Sequence, residues 1–538
     1  MRKLTTLILL SALLAAVGSC AKNEPIVPSD NPPGKEVTPD PPTPPVKVVD
    51  YDKYALGVMA LEAGLKLGVS FTYWEYRLNT PVRNILTRDF TAVTFGNEMK
   101  HDAIVQADGS YNFASADEMA EWAKACGNDL FGHTLGWHSQ QRRDFLNTVI
   151  SNAVPNNNAS LVQQNWNFET GTLDGFATEG FKAITSLYDV FAGDYAAQAV
   201  TDGATLQIDA AIEAGRTYDV SFWAKALAKE GTVKIVTGGG QEAETRISGN
   251  WSKYTVTLST ASVGDFAYRL VASKDVVIDN IRIIETTGTP SGSFRTGNDL
   301  SGELVNDAVG FVYRDWVYKM VEHFDVYGWD VVNETFSDWP VEFRNTQNTD
   351  ISKNFVWGQY FKSTKDWVDK AFAYATDALA RNGKTAVLYL NDYNLETIDA
   401  KRKAYCDYVK GNPQVTGVGT QMHLDMVTTK DLKEKVVASL KDLTATGRMV
   451  RISELDIKCN DLVAQADLYK FIFQKYLEIV PPAQRGGITI WGINDKDSWV
   501  GENNAPLLYR GANYTRKPAF EALYLYLCEV AGFDPYKE

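Results

Sequence analysis

Val326-Tyr327-Gly328-Trp329-Asp330-Val331-Val332-Asn333-Glu334 is the stretch on which the fold turns. It is mostly apolar and rich in β-branched and aromatic residues, so 326–333 reads as a buried strand. It ends in an amide and a carboxylate. A carboxylate at the end of an apolar strand is costly to desolvate unless it has a partner or a task.

Seven other short apolar runs resemble it. Runs 67–71, 92–95 and 129–133 precede it, and 385–391, 416–423, 449–454 and 487–491 follow. Amphipathic helical patterns lie between them at 117–125, 316–323, 365–380 and 464–479. Ser115, with Glu118 three residues later, reads as a capping box for the first of these. Strands alternating with helices predict parallel βαβ units, and eight of them predict an α/β fold, a (β/α)8 TIM barrel.

The alternation fails between about 159 and 285. In Tyr218-Asp219-Val220-Ser221-Phe222-Trp223-Ala224-Lys225 the apolar set Tyr218, Val220, Phe222 and Ala224 alternates with Asp219, Ser221, Trp223 and Lys225. That is the period of a half-buried strand. Runs 232–236, 253–258, 266–272 and 276–284 behave alike. They predict an all-β sandwich over 159–286, interrupting the barrel after its third strand. Inserted domains are tolerated in surface loops because their termini usually lie close together. The barrel is then discontinuous, over 50–150 and 290–538.

Ahead of the barrel, Met1-Arg2-Lys3 is basic and 7–17 is almost wholly apolar. That run is short of the roughly 20 residues a membrane span needs, but it suits a signal peptide over 1–19. Val17-Gly18-Ser19-Cys20 resembles a bacterial lipobox, which makes Cys20 a lipidation site; the alternative is a plain secretory signal with an incidental cysteine. Nine of the chain's 19 prolines fall between Pro25 and Pro45, so 20–49 reads as an extended tether. The expectation is an exported lipoprotein at the outer membrane or cell surface, held to the membrane by its N-terminal lipid. The other four cysteines show no C-x-x-C spacing, which argues against zinc.

Hydrophobic residues at 45% and charged residues at 22% of 538 exclude a largely disordered chain. A net charge of -14, from 53 Lys and Arg against 67 Asp and Glu, argues against a nucleic-acid partner. No feature points to a protein partner.

Polar residues cluster where the strands end, which is where such barrels carry their chemistry. Asn97 and Lys100 follow the second strand. His133, Trp137 and His138 follow the third. Asn333-Glu334, Asn391-Asp392, Gln421 with His423, Glu454 with Asp456, and Trp491 with Trp499 complete the ring. Two carboxylates, Glu334 and Glu454, suit glycoside hydrolysis, one as acid and the other as nucleophile or as base for water. Taken singly, each Glu reads as a salt-bridged strand cap. His133 reads as a satisfied buried histidine, Trp491 and Trp499 as core, and Lys100 as a solvated charge. As one constellation they read as a site.

Trp329 to Glu334 resembles the WDVVNE signature of family 10 glycoside hydrolases, the endo-β-1,4-xylanases. Asn97-Glu98-Met99-Lys100, Gly132-His133-Thr134-Leu135 with Trp137-His138-Ser139-Gln140, Gln421-Met422-His423, Ile452-Ser453-Glu454-Leu455-Asp456, Trp491-Gly492 with Asp495 to Trp499, and Lys517-Pro518-Ala519 match in the same order. The resemblance implies a retaining mechanism without a cofactor, acting on xylan or xylo-oligosaccharides. Glu334 would be the acid/base and Glu454 the nucleophile. Asn333 would hold the sugar 2-hydroxyl. His423 would bond the nucleophile, with Asp456 behind it. Asn97, Lys100, His133 and Gln421 would grip sugars on the non-reducing side, walled by Trp137, Trp491 and Trp499. His138 would support the site from behind. Gly96 and His101 depart from the family's usual Glu and Trp, and Gln141-Arg142-Arg143 replaces a Pro- and Trp-containing run. Rival readings are the same hydrolysis on another β-1,4-glycan, and a glycan-capturing surface lipoprotein without catalysis.

Within the insert, Asn165-Trp166-Asn167-Phe168-Glu169 and Val277-Ile278-Asp279-Asn280-Ile281 resemble the ends of carbohydrate-binding modules of families 4 and 22. The resemblance implies a structural calcium with Glu169 and Asp279 among its ligands; otherwise these are surface acids. Trp223, pointing away from the apolar face, is the expected sugar-stacking residue, with an interface to the barrel as the alternative. Trp251 reads as packing.

Overall fold

Eight parallel strands close into a ring: β1 Leu67–Phe71, β2 Ala92–Phe95, β3 Asp129–Gly136, β4 Gly328–Asn333, β5 Val387–Asp392, β6 Gly417–Thr420, β7 Met449–Lys458 and β8 Arg485–Ile490. Each pairs with the next in sequence, and β8 pairs back onto β1 with Leu67 opposite Ile488. The coordinates are a computed structural model describing residues 47–154, 165–260 and 267–537. The signal segment, Cys20 and nearly all of the tether lie outside the described residues.

Burial explains why these runs are strands. Every residue of β1, β2 and β4 is buried, as expected where helices cover the outside and side chains fill the inside. Close packing also constrains sequence: a Cβ on Gly132 would lie 2.1 Å from the Trp329 ring, so β3 can pass β4 only with glycine there. Among the described residues Cys126, Cys406, Cys459 and Cys528 are free, and no helix is long and apolar enough to cross a membrane.

Three local readings are corrected. The third strand continues three residues past His133, to Gly136. The sixth run divides, with β6 ending at Thr420 and a short strand His423–Asp425 resuming beside β7. Between them Met422 takes a left-handed φ of 61°, which breaks the strand. Ser115 is not a cap, because its helix, Ala114–Ala125, already begins one residue earlier. Asn112 Oδ1 accepts from the Ala114 amide, and Glu118 is taken by Tyr73 and Arg77. The capping box lies instead at Thr72 and Glu75, directly after β1.

The insert forms two antiparallel sheets. One contains Thr178–Glu179, Ala204–Ile208, Glu230–Thr237, Glu242–Ser248 and Tyr268–Ala272. The other is centred on Thr217–Ala226 and Val276–Glu285. Tyr218, Val220, Phe222 and Ala224 face the sandwich core as the alternation predicts.

Trp223 faces the other way but does not reach solvent, so its expected sugar-stacking role is corrected. It is fully buried, lying flat on Phe191 at 4.0 Å and 12° and 5.6 Å from Phe311 of barrel helix Val305–His323. The barrel covers the face that alternation left open. Polar contacts ring this patch. Lys225 pairs with Asp189 (2.6 Å), Arg381 also reaches Asp189 (3.4 Å), and Arg314 donates to the Val190 carbonyl. Lys253 (3.2 Å) and Arg282 (3.0 Å) converge on the buried Glu303. Trp251 packs edge-on beside Phe191.

Candidate active site

The residues at the strand ends meet over the mouth of the ring. Glu334 follows β4 directly, with a left-handed φ of 55°. Non-glycine residues adopt that conformation at a cost that surrounding structure must cover, and such positions cluster at functional sites. Here the Glu334 amide donates to the Asn391 carbonyl at 2.8 Å. Glu454 lies within β7, and its amide donates to the Gln421 carbonyl at 3.1 Å.

A chain of amides joins the two carboxylates. Gln421 Nε2 donates to Glu334 Oε1 and to Asn333 Oδ1, each at 3.2 Å. Asn391 Nδ2 donates to Asn333 Oδ1 and to Glu454 Oε1, each at 2.9 Å. Ser453 Oγ donates to Asn391 Oδ1 at 2.7 Å and fixes which way that amide points.

The second oxygen of Glu454 faces His423. Nε2 stands 3.3 Å from Glu454 Oε2, and Nδ1 stands 2.8 Å from Asp456 Oδ2. Trp499 donates its indole N–H to the same Asp456 oxygen at 2.9 Å and sets its ring edge-on to His423. Burial alone would strip the imidazole of its proton. The Asp456 and Glu454 carboxylates outweigh burial and push its pKa up to about 10.

The two glutamates are driven apart. Burial raises the Glu334 carboxyl, and the Gln421 bond offsets that only in part. Burial acts on Glu454 in the same direction, but His423 and Lys100 outweigh it and hold the carboxyl below its ordinary range. The two shifts run in opposite directions, toward the protonated form on Glu334 and toward the ionised form on Glu454. Environments that separate two carboxyls in this way assign acid and nucleophile.

The remaining polar residues flank this pair. Buried Lys100 bonds Gln140 Oε1 at 2.6 Å and Asn97 Oδ1 at 3.4 Å, and its ammonium lies 5.0 Å from the Trp137 ring. Its burial lowers its pKa. His133 stands with Nδ1 2.9 Å from Asp330 Oδ2 and its ring edge-on to Trp491. His138 stands beside Glu334, with Nε2 3.6 Å from Oε2, and burial lowers its pKa to about 3. A neutral imidazole there leaves the acid's proton in place. Glu98 is structural, accepting the amides of Tyr73 and Asn97.

Sequence reasoning gave no role to Asn391, Gln140, Asp330 or Arg344. Asn391 sits in an Asn-Asp pair at the end of an apolar strand, the one available signal. Gln140 and Arg344 carry no such mark, because their partners lie 40 and 10 residues away in sequence.

Glu169 and Asp279, the expected calcium ligands, both bind amides of the 191–195 segment, and the Glu169 charge adds to the upward shift that burial gives the Asp279 carboxyl. Asp279 Oδ2 accepts from the amides of Phe191 (3.0 Å) and Ala192 (3.2 Å), and its Oδ1 from Asn280 (2.8 Å). Glu169 accepts from the amides of Asp194 and Tyr195. No group of three or more His, Cys, Asp or Glu side chains among the described residues could hold a metal.

Residues 55–169 and 299–525 match the family description "Glycosyl hydrolase family 10". The chain belongs to that family. Residues 161–273, which overlap the end of the first family 10 segment and stop before the second, match "Carbohydrate binding domain". Among family 10 relatives, "Endo-1,4-beta-xylanase A" of Cellvibrio japonicus is 32% identical over 234 residues, 37% of this chain and 36% of its own. "Endo-1,4-beta-xylanase Y" of Acetivibrio thermocellus is 28% identical over 316 residues, 54% of this chain and 27% of its own. The matches thus span well under two thirds of those relatives' length. Xylanase 10B from Thermotoga petrophila RKU-1, solved with xylobiose, aligns at a TM-score of 0.51 and 19% identity, covering 90% of this chain and 99% of its own. At that identity the likeness is one of fold, the family 10 barrel.

Proposed function

We propose that the protein hydrolyses internal β-1,4 bonds of xylan with retention of anomeric configuration. The placing of Glu334 and Glu454 at the ends of β4 and β7, joined through Gln421, Asn333 and Asn391, carries this reading, and their opposite pKa shifts accord with it. Glu334 gives its proton to the leaving glycosidic oxygen while Glu454 attacks the anomeric carbon, forming a glycosyl-enzyme ester. Glu334, now ionised, takes a proton from water as that water displaces Glu454. His423, bonded to Asp456, supplies the positive charge that keeps Glu454 ionised between turnovers. Asn333 is held by Asn391 and Gln421 where the sugar 2-hydroxyl would lie. Asn97, Lys100, His133 and Gln421 grip the sugars before the cleaved bond, and Trp137, Trp491 and Trp499 wall them. No cofactor enters the reaction.

Reducing-sugar release from soluble xylan tests this. The parent cuts, and Glu454→Ala loses activity by a factor on the order of 10⁴ or more. Glu334→Ala loses about 10²–10⁴. A parent that retains xylan on a gel and releases no sugar would replace the enzyme reading with glycan capture. For the segment before the barrel, the proposal is a lipid anchor on Cys20 that holds the protein at the cell envelope. Loss of the membrane-bound fraction in Cys20→Ser tests it.

A further inference from the structure

Glu334 is followed by a hairpin to which the catalytic reading gives no task. Phe336 and Phe343 pair as an antiparallel bridge with their rings 4.7 Å apart. The Ser337 amide donates to the Glu342 carbonyl at 3.0 Å, and the Arg344 amide to the Thr335 carbonyl at 2.9 Å. The hairpin is fastened to the end of β5 and the segment after it. The Phe336 amide donates to Asp392 Oδ2 (3.0 Å) and Asn394 Nδ2 to Asp338 Oδ2 (2.9 Å). Lys401 bridges Asp338 (2.8 Å) and Asp392 (2.9 Å). Arg344 binds the Glu334 carbonyl (2.8 Å) and the Tyr393 hydroxyl (2.6 Å).

At the tip stands Trp339, 89% exposed. Burying a large apolar side chain stabilises a protein, a gain this residue forgoes. An aromatic face on a rigid mount loses little freedom when a ligand settles on it. An indole offers a flat apolar face and one N–H donor, which suits the C–H face and hydroxyl rim of a sugar ring.

The position selects one end of the substrate. In the closed ring β5 stands opposite β1. Of the residues assigned to the non-reducing side, Asn97, Lys100, His133, Trp137 and Trp491 come from the ends of β2, β3 and β8, grouped around β1, and Gln421, after β6, is the exception that reaches across to Glu334. The hairpin leaves β4 and leans on β5. A chain crossing the mouth over Glu454 and Glu334 therefore leaves past Trp339 with its reducing end.

We propose that Trp339 is a stacking platform for a sugar on the leaving-group side of the cleaved bond and gives the enzyme its preference for long chains. The proposal rests on the glycosidase reading above. The test uses the full chain, xylohexaose labelled at its reducing end, and the variants Trp339→Ala and Trp339→Phe. Because the side chain is exposed, both variants should melt with the parent. Trp339→Ala should lower the ratio of kcat/KM on xylohexaose to that on xylotriose by about tenfold. It should also move cuts toward the labelled end, and Trp339→Phe should restore most of both. A parent-like ratio and cutting pattern in Trp339→Ala would overturn the proposal while leaving the glycosidase reading intact. A parent that cuts neither xylan nor xylohexaose would overturn both.

Discussion

Two tryptophans show how differently the barrel mouth and the inserted sandwich use the same side chain. Trp499 leaves 67% of its surface open and anchors its indole N–H on Asp456, beside the nucleophile's histidine. Trp223 leaves none open and lies flat on Phe191 against a barrel helix. At the mouth, aromatic surface is presented on a polar frame. In the insert it is spent on adhesion, so the sandwich braces helix Val305–His323. The outer face of its other sheet carries Lys234, Val236, Glu244, Arg246, Arg269, Val271 and Gln207, with no aromatic among these strand positions. Resemblance to a binding module therefore does not by itself locate a sugar platform in the insert.

Exchanging each tryptophan sharpens this contrast. Trp223→Ala opens a large cavity in a buried interface and should destabilise the protein by about 3–5 kcal/mol, seen as a lower melting temperature or denaturant midpoint. A melting temperature equal to the parent's would mean that the insert does not brace the barrel. Trp499→Ala should melt with the parent yet lose about tenfold in kcat/KM on xylan, since only a sugar contact and one bond to Asp456 are removed. A large drop in stability there would move Trp499 from substrate wall to core.

A smaller effect, on pH dependence, tests the frame of the mouth. Protonation of Glu454 sets the acid limb of kcat/KM, and ionisation of Glu334 sets the basic limb. His423 opposes the upward pull of burial on Glu454. In His423→Ala that opposition is gone, so the acid limb should move to higher pH while the basic limb stays. An unmoved acid limb would show that His423 does not tune the nucleophile.

Much of this was legible in the sequence because strand periodicity and strand-end chemistry are local. The run 67–71 reads as a strand and is one, and Asn333-Glu334 is visible as a polar end on an apolar run. What covers a surface is not local. Alternation correctly turns Trp223 away from the sandwich core, but only the docked barrel decides that it meets Phe311 rather than water. Asn391 is visible as a polar strand end, but its role is not, for a similar reason: its bonds to Asn333 and Glu454 join β4, β5 and β7, far apart in sequence. A linear reading offers Asp279 as a ligand or as a surface acid, and only the fold shows that it is fully buried.

The central claim is that Glu454 attacks and Glu334 delivers and removes the proton. A 2-deoxy-2-fluoro-xylobioside with an activated leaving group slows breakdown of the glycosyl-enzyme and allows it to accumulate. Intact-mass and peptide analysis should find one added xylobiosyl group, on Glu454. An adduct on another carboxylate, or an initial xylan product of inverted configuration, would contradict the account.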